Sequence, residues 1–284
     1  MDIVEITDEN IEDFEELLGE DVKSDLSREF YRGLGAVDDD GEAKGAFVYE
    51  LLAVDDDDED TRSALRLLSA DSEDTYSALH QAYREFGVEE DEIAESVYQF
   101  DEEALAASCE KEGFTKESGE SEFVRFTLKE AGEIPFVTKV KKFPYYIASI
   151  GEISDEQYRA AVKNCLFAGQ KGILEDFGYL KREWFDAELS TCLITDNEIN
   201  GFFLVRTMPS GILMPVLLYG YGADYVKNLV LMLARSIRTA EQKYPPETQI
   251  VVRRTKKATH DLMKKLFPKL NGKEAFFGSR AEEW

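Results

Sequence analysis

The chain has 284 residues, a formal net charge of −26 and 43% hydrophobic residues. This hydrophobic content is enough for one large folded domain or two of average size, and it excludes a disordered chain. Residues 1–134 hold 42 acidic and 11 basic residues, whereas residues 135–284 hold 17 and 22. This asymmetry predicts two domains with different surfaces, and the acidic field argues against nucleic acid or an anionic membrane as a partner.

The cysteines and the N-terminus indicate a cytoplasmic protein without a structural metal. Cys109, Cys165 and Cys192 are widely spaced and form no CxxC pair, so neither a disulfide framework nor a zinc site is expected. The acidic run at residues 55–58 lacks the alternating ligand spacing of a calcium loop. The first residues do not form a signal peptide, and no apolar run reaches the roughly 20 residues of a membrane helix.

Hydrophobic periodicity predicts alternating strands and helices in the first half. Strands are predicted at residues 3–6, 35–37, 44–54, 62–70, 93–100 and 123–128, and helices at residues 8–18, 24–34, 74–86 and 102–111. Gly132, Pro135 and mixed charge mark residues 131–142 as a linker. We therefore expect domains at residues 1–134 and 135–284.

The second half shows a similar succession. Strands are predicted at residues 145–150, 188–195, 199–208, 212–219, 249–254 and 274–278, and helices at residues 154–166, 224–243 and 256–267, with residues 169–180 partly helical. Pro215 cannot donate a hydrogen bond within its strand, which predicts a strand edge or a β-bulge at that point.

The two halves share one order of elements. The segment GEAKGAF at residues 41–47 corresponds to NEINGFF at residues 197–203, and the strands and helices that follow stay in step. This pattern predicts an internal repeat, the alternative being two unrelated α/β halves.

A glycine-rich corner connects the strand at residues 212–219 with the long helix. Its residues Gly220, Tyr221, Gly222 and Ala223 lead directly into a helix N-terminus, whose free backbone N–H groups are suited to a pyrophosphate. The alternative is a corner that only turns the chain. Asp224 is expected to compete for the same N–H groups as a helix cap.

This order of elements resembles the GNAT N-acetyltransferase superfamily, here as a tandem pair, and Glu112-Gly113-Phe114 is similar to the family's usual ending of the helix before a terminal strand. The resemblance implies an α/β fold with mixed sheets of the α+β type and two GNAT-like domains in tandem. It also implies acetyl-CoA between the fourth and fifth strands, with the pantetheine on the fourth strand and the pyrophosphate on the next helix. Carried onto the second half, the cofactor-binding residues are Leu217, Leu218, Tyr219, Gly220, Tyr221, Gly222, Ala223, Tyr225 and Val226.

Both halves depart from the family's Q/R-x-x-G-x-G/A loop. In the first half the corresponding residues 69–74 contain no glycine and three carboxylates, so no working CoA site is expected, with Asp74 capping the helix itself. The second half has the glycines but no preceding Arg or Gln. The family's usual tyrosine on the last helix is also missing, which leaves His260, Tyr219 and Tyr221 as candidate proton donors; the alternatives are a surface histidine and packing tyrosines.

The resemblance therefore implies an acyltransferase that moves an acetyl or acyl group from CoA to a small-molecule or peptide amine, with the second half active. The acidic first half favours a cationic acceptor. The alternative is a non-catalytic binding or scaffold protein on a degenerate GNAT fold.

Overall fold

The computed structural model describes residues 1–52, 61–117, 122–167, 181–220, 224–254, 261, 263–265 and 273–282. It divides into two compact units. Unit 1 comprises Met1–Glu122 and Glu274–Trp284, and unit 2 comprises Phe123–Lys273. The division therefore falls at residues 122 and 123 rather than at residue 134, and the end of the chain returns to unit 1.

Unit 1 is built on a mixed sheet. Its strands are β1 (Asp2–Glu5), β2 (Tyr31–Val37), β3 (Ala43–Leu52), β4 (Thr61–Ala70), β5 (Ile93–Phe100), β6 (Thr115–Glu117) and β14 (Phe276–Ala281), and its helices are α1 (Glu15–Leu26), α2 (Glu73–Ala82) and α3 (Glu103–Lys111). The strand order is β1-β2-β3-β4-β5-β14-β6, with β4 and β5 parallel and the other neighbours antiparallel. A 3₁₀ turn (Ile11–Phe14) precedes α1, and α2 continues into a π-helical turn (Tyr83–Val88).

Unit 2 repeats this plan. Its strands are β7 (Glu122–Thr127), β8 (Ile147–Ser149), β9 (Thr191–Thr195), β10 (Glu198–Thr207), β11 (Leu213–Gly220), β12 (Gln249–Arg254) and β13 (Lys273–Glu274), and its helices are α4 (Leu128–Gly132), α5 (Pro135–Lys139), α6 (Asp155–Phe167) and α7 (Tyr225–Lys243). The strand order is β13-β7-β12-β11-β10-β9-β8. Side chains of α7 pack on one face of this sheet and those of α6 on the other, so the sheet is covered on both faces.

The last strand of each predicted half belongs to the other unit. Residues 123–128 were predicted to close the first half, but β7 lies in the sheet of unit 2. Residues 274–278 were predicted to close the second half, but β14 pairs with β5 and β6 in unit 1. Both strands have six residues, and a strand's own residues do not determine which sheet it joins.

The predicted repeat has a counterpart in how α2 and α7 pack on their sheets. A Cβ atom on Gly45 would lie 2.8 Å from Cγ2 of Thr75 and 2.9 Å from Cδ1 of Leu79. A Cβ atom on the corresponding Gly201 would lie 2.8 Å from the carbonyl oxygen of Tyr219 and 3.3 Å from Cε of Met232. Glycine at both positions therefore permits the close approach of neighbouring groups to the sheet.

The repeat extends to a β-bulge in β4 of unit 1 and in β11 of unit 2. Val48 lies opposite Leu67 and Tyr49 opposite Leu65, so Arg66 of β4 is the bulged residue in unit 1. In unit 2 the register shifts between Leu204 and Val205, and Val216 of β11 is the bulged residue. The bulge predicted at Pro215 is confirmed one residue away.

Other predicted elements differ in their bounds. Residues 31–34 were predicted as helix but begin β2, because the chain leaves α1 at Leu26 and pairs with β3. The predicted linker at residues 131–142 contains α5 and the last two residues of α4, and both helices contact α7. Residues 169–180 lie outside the described residues, as does most of the predicted helix 256–267. Among the described helices none is long and apolar enough to cross a membrane.

Candidate functional site

The site begins where β11 parts from β12. Among the described residues, the parallel pairing of these two strands consists of Leu213 opposite Ile250, whereas the equivalent strands β4 and β5 stay paired from Thr61 to Leu65. Beyond the pair, residues 214–218 are half-buried although β11 lies inside the sheet. Because no further pair with β12 is described along this edge of β11, the edge suits an extended ligand that hydrogen-bonds like a strand.

The helix that follows β11 begins without a side-chain cap. Asp224, at the N-cap position, has φ +59° and ψ +19°, and its carboxylate makes no capping hydrogen bond. The first turn of α7 carries no acidic residue. The expectation that Asp224 caps the helix is therefore wrong. Because the first N–H groups of a helix have no intrahelical acceptor, this end is suited to an anion.

The equivalent helix end in unit 1 is closed by its own side chains. Ser72 accepts a hydrogen bond from the backbone N–H of Thr75 at 3.2 Å, and the Thr75 hydroxyl donates to the Asp71 carboxylate at 2.8 Å. Glu73 and Asp74 add negative charge in the first turn. The cap is therefore Ser72 rather than the predicted Asp74, and the cap and the acids together oppose an anion there.

The bulge of unit 1 also differs chemically from that of unit 2. The Arg66 guanidinium donates to Glu50 at 2.6 Å, and the Tyr31 hydroxyl donates to the same carboxylate at 3.0 Å. Burial, followed by the nearby Glu50 charge, raises the pKa of Tyr31. In unit 2 the position of Glu50 is taken by Arg206 and the position of Arg66 by Val216. The bulge of β11 therefore carries an apolar side chain.

Of the three candidate proton donors, the structure describes Tyr219. Tyr219 is 4% exposed and packs with Phe202 and Leu204 in the apolar cluster on the α6 face of the sheet. That surrounding fits a packing role. Tyr221 and His260 lie outside the described residues, so their distances from the parted strands are not defined.

The predicted cofactor-binding residues lie along one path where they are described. Leu217 and Leu218 are half-buried on β11 just beyond the bulge, Gly220 ends that strand, and Tyr225 begins α7. Val226 is 59% exposed in the first turn of the helix. Gly222 and Ala223 lie outside the described residues, as does Tyr221.

The sequence analysis did not predict a depression beside α7. An open depression of about 640 Å³ is lined by Val140, Asp224, Val226, Lys227, Val230 and Leu231. Residue 140 had been assigned to a linker. The available signal was the pair Val226 and Val230, which have helical spacing outside the predicted apolar stripe.

Comparisons with known proteins define the fold. A tandem GNAT protein from the clavulanic acid biosynthesis pathway, described as without AcCoA, aligns with 100% of this chain and 99% of its own, at TM-score 0.67 and 12% identity. A GCN5-related N-acetyltransferase from Sphaerobacter thermophilus aligns over 99% and 96%, at TM-score 0.63 and 12% identity. A putative acetyltransferase from Pyrococcus horikoshii aligns over 99% and 89%, at TM-score 0.58 and 15% identity. No protein-family model and no curated protein matches the sequence.

The chain therefore has a tandem GNAT fold, with two GNAT-like domains in mixed α/β architecture. Identities of 12 to 15% establish this fold and not an activity.

Proposed function

We propose that unit 2 transfers an acyl group from acetyl-CoA, or a related acyl-CoA, to an amine. The contrast between the two equivalent helix ends carries this proposal. The N-terminus of α7 has no side-chain cap and no acid in its first turn, whereas the N-terminus of α2 has Ser72 as its cap and two acids. An anionic cofactor is therefore favoured in unit 2 and opposed in unit 1.

The described residues fit such a cofactor. The edge of β11 at Leu217 and Leu218 offers backbone groups to the amides of a pantetheine, and the first turn of α7 offers N–H groups to the pyrophosphate. When bound, acetyl-CoA supplies a thioester-activated acyl group for transfer to the amine nitrogen, with release of the CoA thiol. Among the candidates, Tyr221 and His260 are the proposed donors of a proton to the departing sulfur, since Tyr219 is packed in the core.

We further propose that the acceptor is a cationic small-molecule or peptide amine. The whole chain carries a net charge of −26, and a negative field raises the local concentration and the encounter rate of cations. The burial of Tyr219 and the missing Arg or Gln before the glycines favour a second candidate, a non-catalytic binding protein on the same fold.

A turnover assay separates the two candidates. Release of free CoA thiol from acetyl-CoA is measured with a polyamine, with a neutral amine and with an anionic amino acid as acceptors. The acyltransferase proposal predicts the fastest release with the polyamine. It also predicts a clear drop in that rate at about 0.5 M salt, where charges are screened within about 4 Å. Absence of release with every amine would favour the binding protein, and an unchanged rate at high salt would exclude the cationic preference.

A further inference from the structure

Two exposed hydrophobic surfaces of opposite local charge lie on the two units. Among the described residues, the large hydrophobic side chains that are exposed are Met1, Phe86, Tyr145 and Val226. Phe86 belongs to unit 1 and Val226 to unit 2. Isolated exposed apolar side chains are ordinary, so the surroundings of these two decide whether they have a role.

The surface around Phe86 is an acidic knob, which we define as Phe86 with Glu85, Glu89 and Glu90. Phe86 is 50% exposed and lies in the π-helical turn after α2, and the three glutamates are exposed. The neighbouring Arg84 is engaged with Glu112 at 3.1 Å, so it does not neutralise this group of acids. The result is an aromatic side chain presented to solvent with negative charge around it.

The surface around Val226 is a basic groove, which we define as the depression beside α7 together with the lysines that flank Val140. Its walls are apolar and Lys227 is part of its lining. Asp224 is the one acid among the residues that line it. The flanking lysines are exposed and surround residue 140 in the sequence: Lys139, Lys141 and Lys142.

We propose that the acidic knob of one copy of this chain docks into the basic groove of a second copy. The aromatic ring of Phe86 would bury its exposed half against Val230 and Leu231, while glutamates around the ring face lysines around the groove. An aromatic anchor in an apolar pocket with a charged rim is the usual anatomy of a protein interface. Charge complementarity selects the partner, because unit 1 supplies the acids and unit 2 the lysines.

The contact joins two different surfaces, so each copy contributes a knob and a groove. Two copies related by a two-fold axis would make the contact twice, and any other arrangement would continue into larger assemblies. In both cases the association depends on protein concentration and weakens as salt screens the rim charges.

Sedimentation velocity over a wide range of protein concentration tests the contact. The wild-type chain should self-associate, and Phe86→Ser and Val230→Glu should each weaken association at least about tenfold, which corresponds to about 1.4 kcal/mol. A mixture of the two variants should associate again, because the Phe86→Ser chain keeps its groove and the Val230→Glu chain keeps its knob. Lys129→Glu, an exposed charge reversal on α4 outside the groove, should leave association unchanged.

Three results would overturn the proposal. They are a wild-type chain that stays monomeric at every concentration, an association that Phe86→Ser leaves intact, and folded variants that do not associate when mixed. Circular dichroism establishes that each variant is folded. If the protein is monomeric and Phe86→Ser lowers its melting temperature, the ring of Phe86 makes a contact within one chain. That result would equally exclude docking between copies.

Discussion

His80 is a titratable side chain enclosed in the core of unit 1. Its imidazole is 0% exposed, and its centroid lies 5.2 Å from that of Phe47 and 6.2 Å from that of Phe114. Within the described part of the chain neither ring nitrogen has a hydrogen-bond partner. Burial, followed by the charges of Arg280 and Arg84, lowers the pKa of His80 to about 3. The folded protein therefore holds this imidazole neutral where an unfolded chain would protonate it.

This burial makes unit 1 sensitive to acid. The unfolded chain binds a proton on His80 near pH 6.5, whereas the folded chain does so near pH 3, so stability falls as pH drops below 6.5 by about 1.4 kcal/mol per pH unit. His80→Leu removes this loss. Between pH 7 and pH 5, the free energy of unfolding of His80→Leu relative to wild type should therefore rise by about 2 kcal/mol in urea titrations. An equal difference at both pH values would contradict the buried neutral imidazole.

At the scale of residues, the sequence predicted some positions of the candidate site and not others. The path from Leu217 to Val226 followed from a strand that passes through glycines into a helix. The conformation of Asp224 did not follow, because a left-handed φ depends on how the preceding corner turns and not on the aspartate alone. The burial of Tyr219 was equally hidden, since side-chain direction depends on the register of β10 and β11.

At the scale of elements, β14 is held in unit 1 by a buried polar network. Arg280 donates to Glu282 at 2.7 Å and 2.9 Å, and its other amino group donates to the Glu112 carbonyl at 2.9 Å. Glu282 also accepts from the Ser96 hydroxyl on β5, which lies 2.6 Å from the Tyr83 hydroxyl. The side chains of Arg280 and Glu282 are 10% and 5% exposed. The C-terminal strand is therefore fixed by charge-assisted bonds as well as by backbone pairing.

Removing one partner of this network should cost more than removing an exposed contact of the same strand. Glu282→Ala leaves the Arg280 charge uncompensated in a buried place and should lower the free energy of unfolding by about 3 kcal/mol. Glu117→Ala is the matched control, because the exposed Glu117 accepts a hydrogen bond from Ser279 of β14 at 2.6 Å, and it should cost less than about 1 kcal/mol. Urea unfolding of both variants measures the difference. Equal losses would show that the network adds nothing to strand pairing.

The exchange of β7 and β14 limits what the elements could reveal in advance. Most strands and helices followed from periodicity, because each buries one face. The partner of a terminal strand did not, since both strands have six residues and pairing depends on the tertiary contacts of each sheet. Ser63 and Ser96 were the available hint, because buried hydroxyls on β4 and β5 need polar partners and β14 brings Glu282.

At the scale of the whole molecule, the repeat and the charge asymmetry could be predicted from the sequence. The exchange of the strands β7 and β14 between the two sheets could not. Residues 1–134 do not form an independent half, because the sheet of unit 1 includes β14 from the end of the chain. Separate expression of residues 1–134 would leave β5 and β6 without the strand between them. Functional tests therefore require the full chain and substitutions confined to one unit.

Calorimetric titration of acetyl-CoA into the full chain tests most directly whether unit 2 alone holds the cofactor. We predict one site per chain. Val226→Glu, which places a carboxylate in the exposed first turn of α7, should abolish binding while the protein stays folded. Asp74→Lys, in the first turn of α2, should leave the affinity unchanged, although it would raise the affinity if unit 1 held the phosphates. No binding, two sites per chain, or a site that responds to Asp74→Lys and not to Val226→Glu would contradict the account.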